Sequence, residues 1–217
     1  MRSDMASCCN DKSCAIEQLH LRQGATLKTV LILNAVMFVV ELIAGLRAGS
    51  VSLLADSLDM LGDALVYGFS LWVIGRGLLW KARAATAKAG VMAGFGLFVL
   101  AELIYKLLLP QSPGFETMGA IGGLALAVNS LCFGLLWRHR AEDINMRSVW
   151  LCSRNDLFAN FAVLLAALAV WQTASPWPDL VVGAFICGLF LHSAWAVATE
   201  ARRELRAAHH MLPIMSP

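Results

Sequence analysis

Long apolar segments alternate with short polar connections along almost the whole chain. A helix of about 20 apolar residues crosses a bilayer core of about 30 Å, and six segments reach that length. They are Leu27–Leu46, Ser52–Gly75, Ala87–Leu109, Thr117–Trp137, Ser148–Gln172 and Asp179–Ala198. The hydropathy pattern therefore predicts an all-α membrane protein with six transmembrane helices.

The remaining residues divide the chain into three parts. Residues 1–26 are polar and contain neither the apolar region nor the cleavage site of a signal peptide. We interpret them as an arm that precedes a transmembrane domain over residues 27–200. Residues 201–217 form a short basic tail, so the segment lengths leave no room for a second domain.

Composition supports this class of protein and excludes others. Of the 217 residues, 59% are hydrophobic and 15% are charged, whereas soluble domains have about 45–50% and about 25%. These values exclude an ordinary soluble domain and a disordered chain. The net charge is only +2, so nucleic acid is not an expected partner. We find no catalytic constellation and expect no enzymatic activity.

The distribution of Lys and Arg predicts the orientation in the membrane. Fourteen of the 17 basic residues lie on one side: in the arm and the start of segment one, in the tail, in the connection between segments two and three with the start of segment three, or in the connection between segments four and five. Only Arg47 and Lys106 lie at the opposite side, and Arg154 lies within a segment. By the positive-inside rule, both termini are expected in the cytoplasm of a bacterial-type inner membrane.

The second segment carries three aspartates that an apolar helix would not tolerate without a function. Asp56, Asp59 and Asp63 lie within a narrow arc of one helix face. Each ionisable group costs about 2.5–3.5 kcal/mol in a transmembrane helix on insertion scales. Asp59 and Asp63 are one helical turn apart, and two carboxylates at this spacing can hold one cation together.

The fifth segment repeats this spacing with a thiol and a carboxylate. Cys152 and Asp156 are also one turn apart, and both groups are common metal ligands. If the second and fifth helices are antiparallel neighbours, this pair and the pair Asp59 and Asp63 lie at similar depth near the membrane midplane. Four such ligands would form a tetrahedral site that favours zinc or cadmium.

Other polar residues in the segments leave alternatives open. Asp56 and Asn160 lie on the same faces as the two pairs, so they could support the ligands through hydrogen bonds. Arg154 points away from the predicted site. It could pair with Glu41 or Glu102, extend toward the cytoplasm, or face a water-filled space.

Three cysteines in the arm form a separate candidate site. Cys8, Cys9 and Cys14 could capture a soft metal and pass it on, or they could be incidental thiols in an unstructured arm. A thiol-redox function is a further reading. It is disfavoured because cytosolic thiols stay reduced.

Two motifs resemble the cation diffusion facilitator family. The stretch GSVSLLADSLDMLGDA resembles the second span of that family, and NMRSVWLCSRNDLFAN resembles the fifth. The resemblance extends from about Leu27 to Arg203. This resemblance implies that Asp59 and Asp63 form one half of a metal site and that Asp156 is the final ligand of the other half. Cys152 stands where the family usually has His, which indicates a preference for softer ions.

The resemblance implies a function and an assembly. We expect a transporter that exports a divalent metal ion, zinc or a cadmium-like ion, by proton antiport. It would work as a homodimer in contact with membrane lipid, with no permanently bound cofactor. The usual C-terminal cytoplasmic domain is expected to be missing. The alternative is a membrane metal sensor or metal chaperone that holds the ion without transporting it.

Overall fold

A computed structural model describes residues 28–73, 78–137 and 144–211, and these residues form helices joined by short connections. The helices are α1 (Lys28–Ala48), α2 (Val51–Val73), α3 (Leu78–Leu108), α4 (Phe115–Trp137), α5 (Ile144–Thr173) and α6 (Trp177–Met211). No strand occurs within the three described ranges, which confirms the predicted all-α class. The whole arm, including its three cysteines, lies outside the described residues.

Five of these helices are long and apolar enough to cross a membrane. They are α1, α4 and the apolar parts of α3, α5 and α6. Helix α2 has a comparable length of 23 residues, but its three aspartates make it too polar by composition alone. The predicted number of six membrane crossings therefore depends on how α2 is surrounded.

Several helices extend beyond the predicted apolar segments. Helix α3 begins at Leu78, before the predicted start at Ala87, and α6 continues to Met211, through most of the predicted tail. Both extensions are rich in Ala, Lys and Arg, which favour helix without being apolar. Hydropathy therefore locates the membrane-crossing part of these helices but not their ends.

Helix α2 lies at the centre of the bundle. Its first eight residues, Val51–Leu58, are each no more than 1% exposed, which is the pattern of a helix covered on every side. It packs against α3, α5 and α6. Its outer side is covered by α1, where Met37 packs in one cluster with Met60. Protein rather than lipid therefore surrounds the first half of α2.

The outer surface of the bundle is apolar. Phe158, Phe185 and Trp195 are each more than 60% exposed, as are many smaller side chains on the outer faces of the helices. A soluble monomer rarely exposes such large continuous apolar areas. This surface is therefore suited to contact with lipid chains.

A tight turn joins α1 to α2. Gly49 has a positive φ of 64°, and the Ser50 amide donates to the Gly45 carbonyl at 3.0 Å. This bond closes a Schellman motif, in which the left-handed residue is usually glycine. The turn allows α2 to begin only three residues after α1 ends.

Hydrogen bonds connect the loops at one end of the bundle. The Gly114 amide before α4 donates to the Ala48 carbonyl at the end of α1, at 2.9 Å. The Ser112 hydroxyl donates to the Ala174 carbonyl at the end of α5, at 2.8 Å. The α1–α2, α3–α4 and α5–α6 connections therefore lie together, as expected for helices that run alternately up and down.

The carboxylate of Asp179 in the first turn of α6 caps the start of α2. It accepts the hydroxyls of Ser50 and Ser52 at 2.7 and 2.6 Å. It also accepts the amides of Val51 and Ser52 at 2.8 and 3.0 Å. Asp179 is 1% exposed, so its charge is compensated by these four donors and by the positive end of the α2 dipole.

A close approach of backbones follows directly after this cap. A Cβ atom at Gly183 would lie 2.7 Å from Val51 Cγ1 and 2.8 Å from the Ser52 nitrogen. Only a glycine fits at this contact without displacing the start of α2. Helices α6 and α2 are therefore joined by the carboxylate cap and by direct contact one turn further along α6.

The cap predicts a large loss of stability for Asp179→Ala. Removing the carboxylate leaves buried amides and hydroxyls without an acceptor, so we expect a loss of about 2–4 kcal/mol. Thermal unfolding of the purified protein in detergent measures this loss. Glu116→Ala is the control, since Glu116 also lies in a first helical turn but is exposed. Equal midpoints for the two variants would contradict the cap.

The backbone contact predicts opposite effects for two alanine substitutions in α6. Gly183→Ala should destabilise the protein by about 1–3 kcal/mol because the added methyl group overpacks the α2 contact. Gly188→Ala should be neutral or stabilise by up to about 1 kcal/mol, because alanine favours helix and nothing lies within 4 Å of its Cβ position. The same unfolding assay compares them, and a stable Gly183→Ala protein would argue against the contact.

Candidate metal centre

The three aspartates of helix α2 lie at increasing distance from its buried start, between that start and the middle of the helix. Asp56 is completely buried, whereas Asp59 and Asp63 are half-buried. Neither oxygen of the Asp56 carboxylate has a hydrogen-bond partner. Both Asp59 and Asp63 take part in polar or electrostatic interactions. The face on which the sequence places these acids therefore points into the protein.

Helix α5 contributes Asp156 and Asn160, both buried. The Asn160 side-chain amide donates to the backbone carbonyl of Asp156 at 2.8 Å, while its carbonyl oxygen has no partner. Asn160 therefore uses its nitrogen within its own helix rather than on the Asp156 carboxylate. Its oxygen is available to a further group.

The acids of α2 and α5 share one buried region. The two helices are in contact, so the helices that carry the two predicted ligand pairs are neighbours. Asp156 is within electrostatic range of Asp56. Asp63 and Asp156 both act electrostatically on the same thiol, that of Cys132 in α4. This region between α2, α4 and α5 is the candidate metal centre.

The structure describes the side chains of three of the four predicted ligands, Asp59, Asp63 and Asp156. Cys152 lies in helix α5, but its side chain is outside the described part of the structure. Among the side chains that are described, no three His, Cys, Asp or Glu residues come together closely enough to hold a metal. The four-ligand site of Asp59, Asp63, Cys152 and Asp156 therefore stays a prediction.

Helix α4 lines the same region in antiparallel register with α5. Gly122 faces Val163 and Leu164, at 3.4 Å from its Cβ position. Continuing this register along both helices places Asn129 level with Asp156. Asn129 is buried, and its side-chain nitrogen has no partner. The amide of α4 and the carboxylate of α5 therefore lie at similar depth.

Cys132 lies one turn further along α4. It packs in one apolar cluster with Val30 of α1 and Tyr67 of α2, as buried free cysteines commonly do. The side-chain nitrogen of Asn34 lies 4.0 Å from its sulfur. Its proximity to the acids could not be deduced from sequence because spacing along one helix does not show which helix lies opposite.

The charge-bearing side chains described in the bundle interior are acidic. Glu41, Asp56 and Asp156 are buried, while every Lys or Arg whose side chain is described is exposed or half-buried. These basic residues are Lys28, Arg47, Arg83, Lys106, Arg202 and Arg203. Buried carboxylates are stable only when they are protonated or compensated by a cation. Such an interior is suited to holding positive ions.

Comparison with known families agrees with this chemistry. The family model of the cation efflux transmembrane domain matches residues 27–77 and 81–206. The chain belongs to the cation efflux family. This finding confirms the resemblance to cation diffusion facilitators, whose members are transporters rather than enzymes. The match covers all six helices, including α2.

Curated relatives carry names of metal transporters. The chain is 30% identical over 202 residues to a zinc transporter, ZitB, of Pectobacterium atrosepticum, covering 86% of this chain and 63% of the relative. It is 21% identical to the metal cation efflux system protein CzcD of Cupriavidus metallidurans, covering 78% and 58%. A cadmium, cobalt and zinc/H(+)-K(+) antiporter of Bacillus velezensis is 23% identical, with 84% and 64% covered. The chain thus spans less than two thirds of these relatives.

Proposed function

We propose that this protein exports a divalent metal ion, zinc or a cadmium-like ion, from the cytoplasm in exchange for protons. The observation that carries the proposal is the group of buried carboxylates on α2 and α5, in a bundle whose described basic side chains all lie outside the interior. An apolar bundle maintains such acids at a considerable cost. Cation transport gives them a function, and the names of the relatives agree with it.

The proposed ligands are Asp59 and Asp63 of α2 together with Cys152 and Asp156 of α5. Contact between the two helices supports this set, as does the position of Asp63 and Asp156 around a common neighbour. The carboxylate pair of α2 and the thiolate–carboxylate pair of α5 together supply four ligands, which is the number that tetrahedral zinc or cadmium requires.

In the proposed topology all six helices cross the membrane. Helix α2 is about 34 Å long at 1.5 Å per residue, enough to cross a core of about 30 Å. Its acids face protein, so their presence does not exclude a crossing. Both termini then lie on the side that carries most of the Lys and Arg, the cytoplasm of a bacterial inner membrane. We propose a homodimer as the working assembly.

Metal binding and proton release are linked in this proposal. A thiol or carboxylic acid must lose its proton before it binds a metal ion, so an arriving ion displaces protons from the four ligands. Helix rearrangement then opens the site to the opposite side, as in other secondary transporters. Release of the ion allows protons from that side to return to the ligands.

Asp63→Ala should abolish transport while the protein remains inserted and folded. Loss of a group that only supports a ligand already lowers metal affinity by about 10–100-fold, so loss of a ligand should lower it further. Removal of an intramembrane charge does not hinder insertion. Zinc flux into sealed vesicles that contain purified protein measures the effect. Asp59→Ala and Asp156→Ala should behave alike, and Glu116→Ala should transport as wild type. Normal flux in any of the three aspartate variants would reject the assigned ligands, and zinc binding without flux in the wild type would favour a sensor.

Cys152 should determine the ranking of metals. A thiolate is softer than an imidazole, so the wild type should prefer cadmium over cobalt and manganese more strongly than Cys152→His does. The His variant should keep zinc transport, because His suits tetrahedral zinc. Cys152→Ser should lose most soft-metal affinity.

Competition between zinc, cadmium, cobalt and manganese across these three proteins measures the ranking. Cys187→Ser is the control, since Cys187 is a buried cysteine of α6 that packs in the apolar core. An identical metal ranking in the wild type, the Ser variant and the His variant would show that Cys152 is not a ligand.

A further inference from the structure

Two buried acids lie together outside the predicted ligand set. Glu41 of α1 and Asp56 of α2 are both 0% exposed. All four of their carboxylate oxygens lack a hydrogen-bond partner, although most buried polar groups in proteins have one. Asp56 is within electrostatic range of Glu41. We call Glu41 and Asp56 the acid pair.

Packing between α1 and α2 directs Glu41 toward Asp56. On one side of Glu41, Met37 packs in one cluster with Met60. On the other side, a Cβ atom at Gly45 would lie 2.9 Å from the Leu54 side chain. Glu41 lies midway between Met37 and Gly45, one helical turn from each, and it therefore faces the stretch of α2 between Leu54 and Met60. The acid pair occupies this closed layer of the α1–α2 contact.

The neighbouring ionisable groups make an ionised acid pair more costly. Asp59 acts on Glu41 and Asp156 acts on Asp56, and both neighbours are acids. The remaining ionisable groups described on the packed faces of α3, α4 and α6 offer no buried cation. They are Glu102, Lys106, Cys132, Asp179 and Cys187, whereas His192 is exposed. Asp179 is already occupied by the cap of α2.

An ionised carboxylate buried without a partner costs several kcal/mol or more. Two such carboxylates beside further acids could not both be charged in this conformation. A neutral carboxylic acid avoids most of that cost, and it is neutral because it carries a proton. The arrangement thus selects a proton as the ion that occupies the acid pair.

We propose that Glu41 and Asp56 form a proton-carrying site separate from the metal ligands. The proposal rests on the proposed metal–proton exchange and adds protons to those displaced from the ligands. Each proton is taken up from water on one side as O–H on a carboxylate oxygen and is returned to water on the other side. No other bond forms or breaks.

The position of the acid pair agrees with this role. Asp56 lies about 8 Å along α2 from its start, whereas Asp63 lies about 18 Å along it. The start of α2 is at the end of the bundle where the α1–α2, α3–α4 and α5–α6 connections meet. In the proposed topology this end faces outward. Protons that enter from outside would therefore reach the acid pair before they reach the metal ligands.

Transport by full-length protein in sealed vesicles tests the proposal. Zinc movement and proton movement are recorded together with separate dyes, for the wild type, Glu41→Gln, Asp56→Asn and the double variant. The double variant should bind zinc with an affinity within about twofold of wild type at fixed pH, and the number of protons moved per zinc should fall by up to about two, one for each carboxylate removed. Glu102→Gln, a half-buried acid of α3 outside the pair, should match the wild type.

Infrared spectroscopy gives a second readout that does not need transport. The carbonyl band of protonated carboxylic acids should be present in the wild type at neutral pH and should lose intensity in each single variant. Both substitutions preserve side-chain shape, so we expect the single variants to fold. If the double variant does not fold, the single variants still test the proposal. An unchanged band, an unchanged proton-to-zinc ratio, or a large loss of zinc affinity in either variant would overturn the proposal.

The outcomes for this site and for the proposed function are distinguishable. If the wild type moves no zinc, the proposed function fails while the infrared band still reports the acid pair. If the wild type exchanges zinc for protons and the double variant does so equally well, only the separate proton site fails. Stoichiometric loss of bound zinc in the double variant would instead identify the acid pair as a metal site.

Discussion

An apolar helix bundle can retain a carboxylate only if protein, and not lipid, surrounds it. Helix α2 carries three aspartates and lies at the centre, where its first eight residues are almost completely covered. The other helices carry their large apolar side chains on the outside. The arrangement of the bundle thus follows from the cost of exposing acids to hydrocarbon.

The cap of α2 by Asp179 has consequences beyond stability. Four hydrogen bonds and the contact at Gly183 hold the first turns of α2 and α6 together. Any movement that separates the acids of α2 from those of α5 must therefore carry the start of α6 along with α2, or else break these bonds. The contact of α4 with α5 lies on the opposite side of the metal centre, where Gly122 permits close packing.

The interior acids differ in their surroundings, and the differences match different functions. Asp59 and Asp63 are only half-buried and take part in polar or electrostatic interactions, so their charge can be compensated by an ion. Glu41 and Asp56 are sealed in the layer between α1 and α2 without a polar partner. Metal ions require several ligands around an open position, whereas a proton requires only one oxygen.

The sequence by itself determined the helical class, the approximate helix positions and the spacing of the acids. The fourth apolar segment, predicted over Thr117–Trp137, nearly coincides with α4 (Phe115–Trp137). The length of an apolar segment depends only on residues that are adjacent in the chain, and so does the one-turn spacing of Asp59 and Asp63. The predicted third and sixth segments agree with the apolar parts of α3 and α6. Hydropathy did not show that α3 begins earlier and that α6 ends later, because both helices extend beyond the apolar segment into sequence that contains Ala and basic residues.

Only the tertiary structure decided which side chains face each other. From sequence, Glu41 was one of several candidate partners for Arg154, and no pattern linked Cys132 to the acids. Their positions beside Asp56 and near Asp63 and Asp156 depend on contacts between helices that are distant in the chain. The role of Asp179 as a cap for a helix more than 120 residues earlier is of the same kind. Helical periodicity determines which face a residue occupies, but the energy of packing whole helices determines what that face meets.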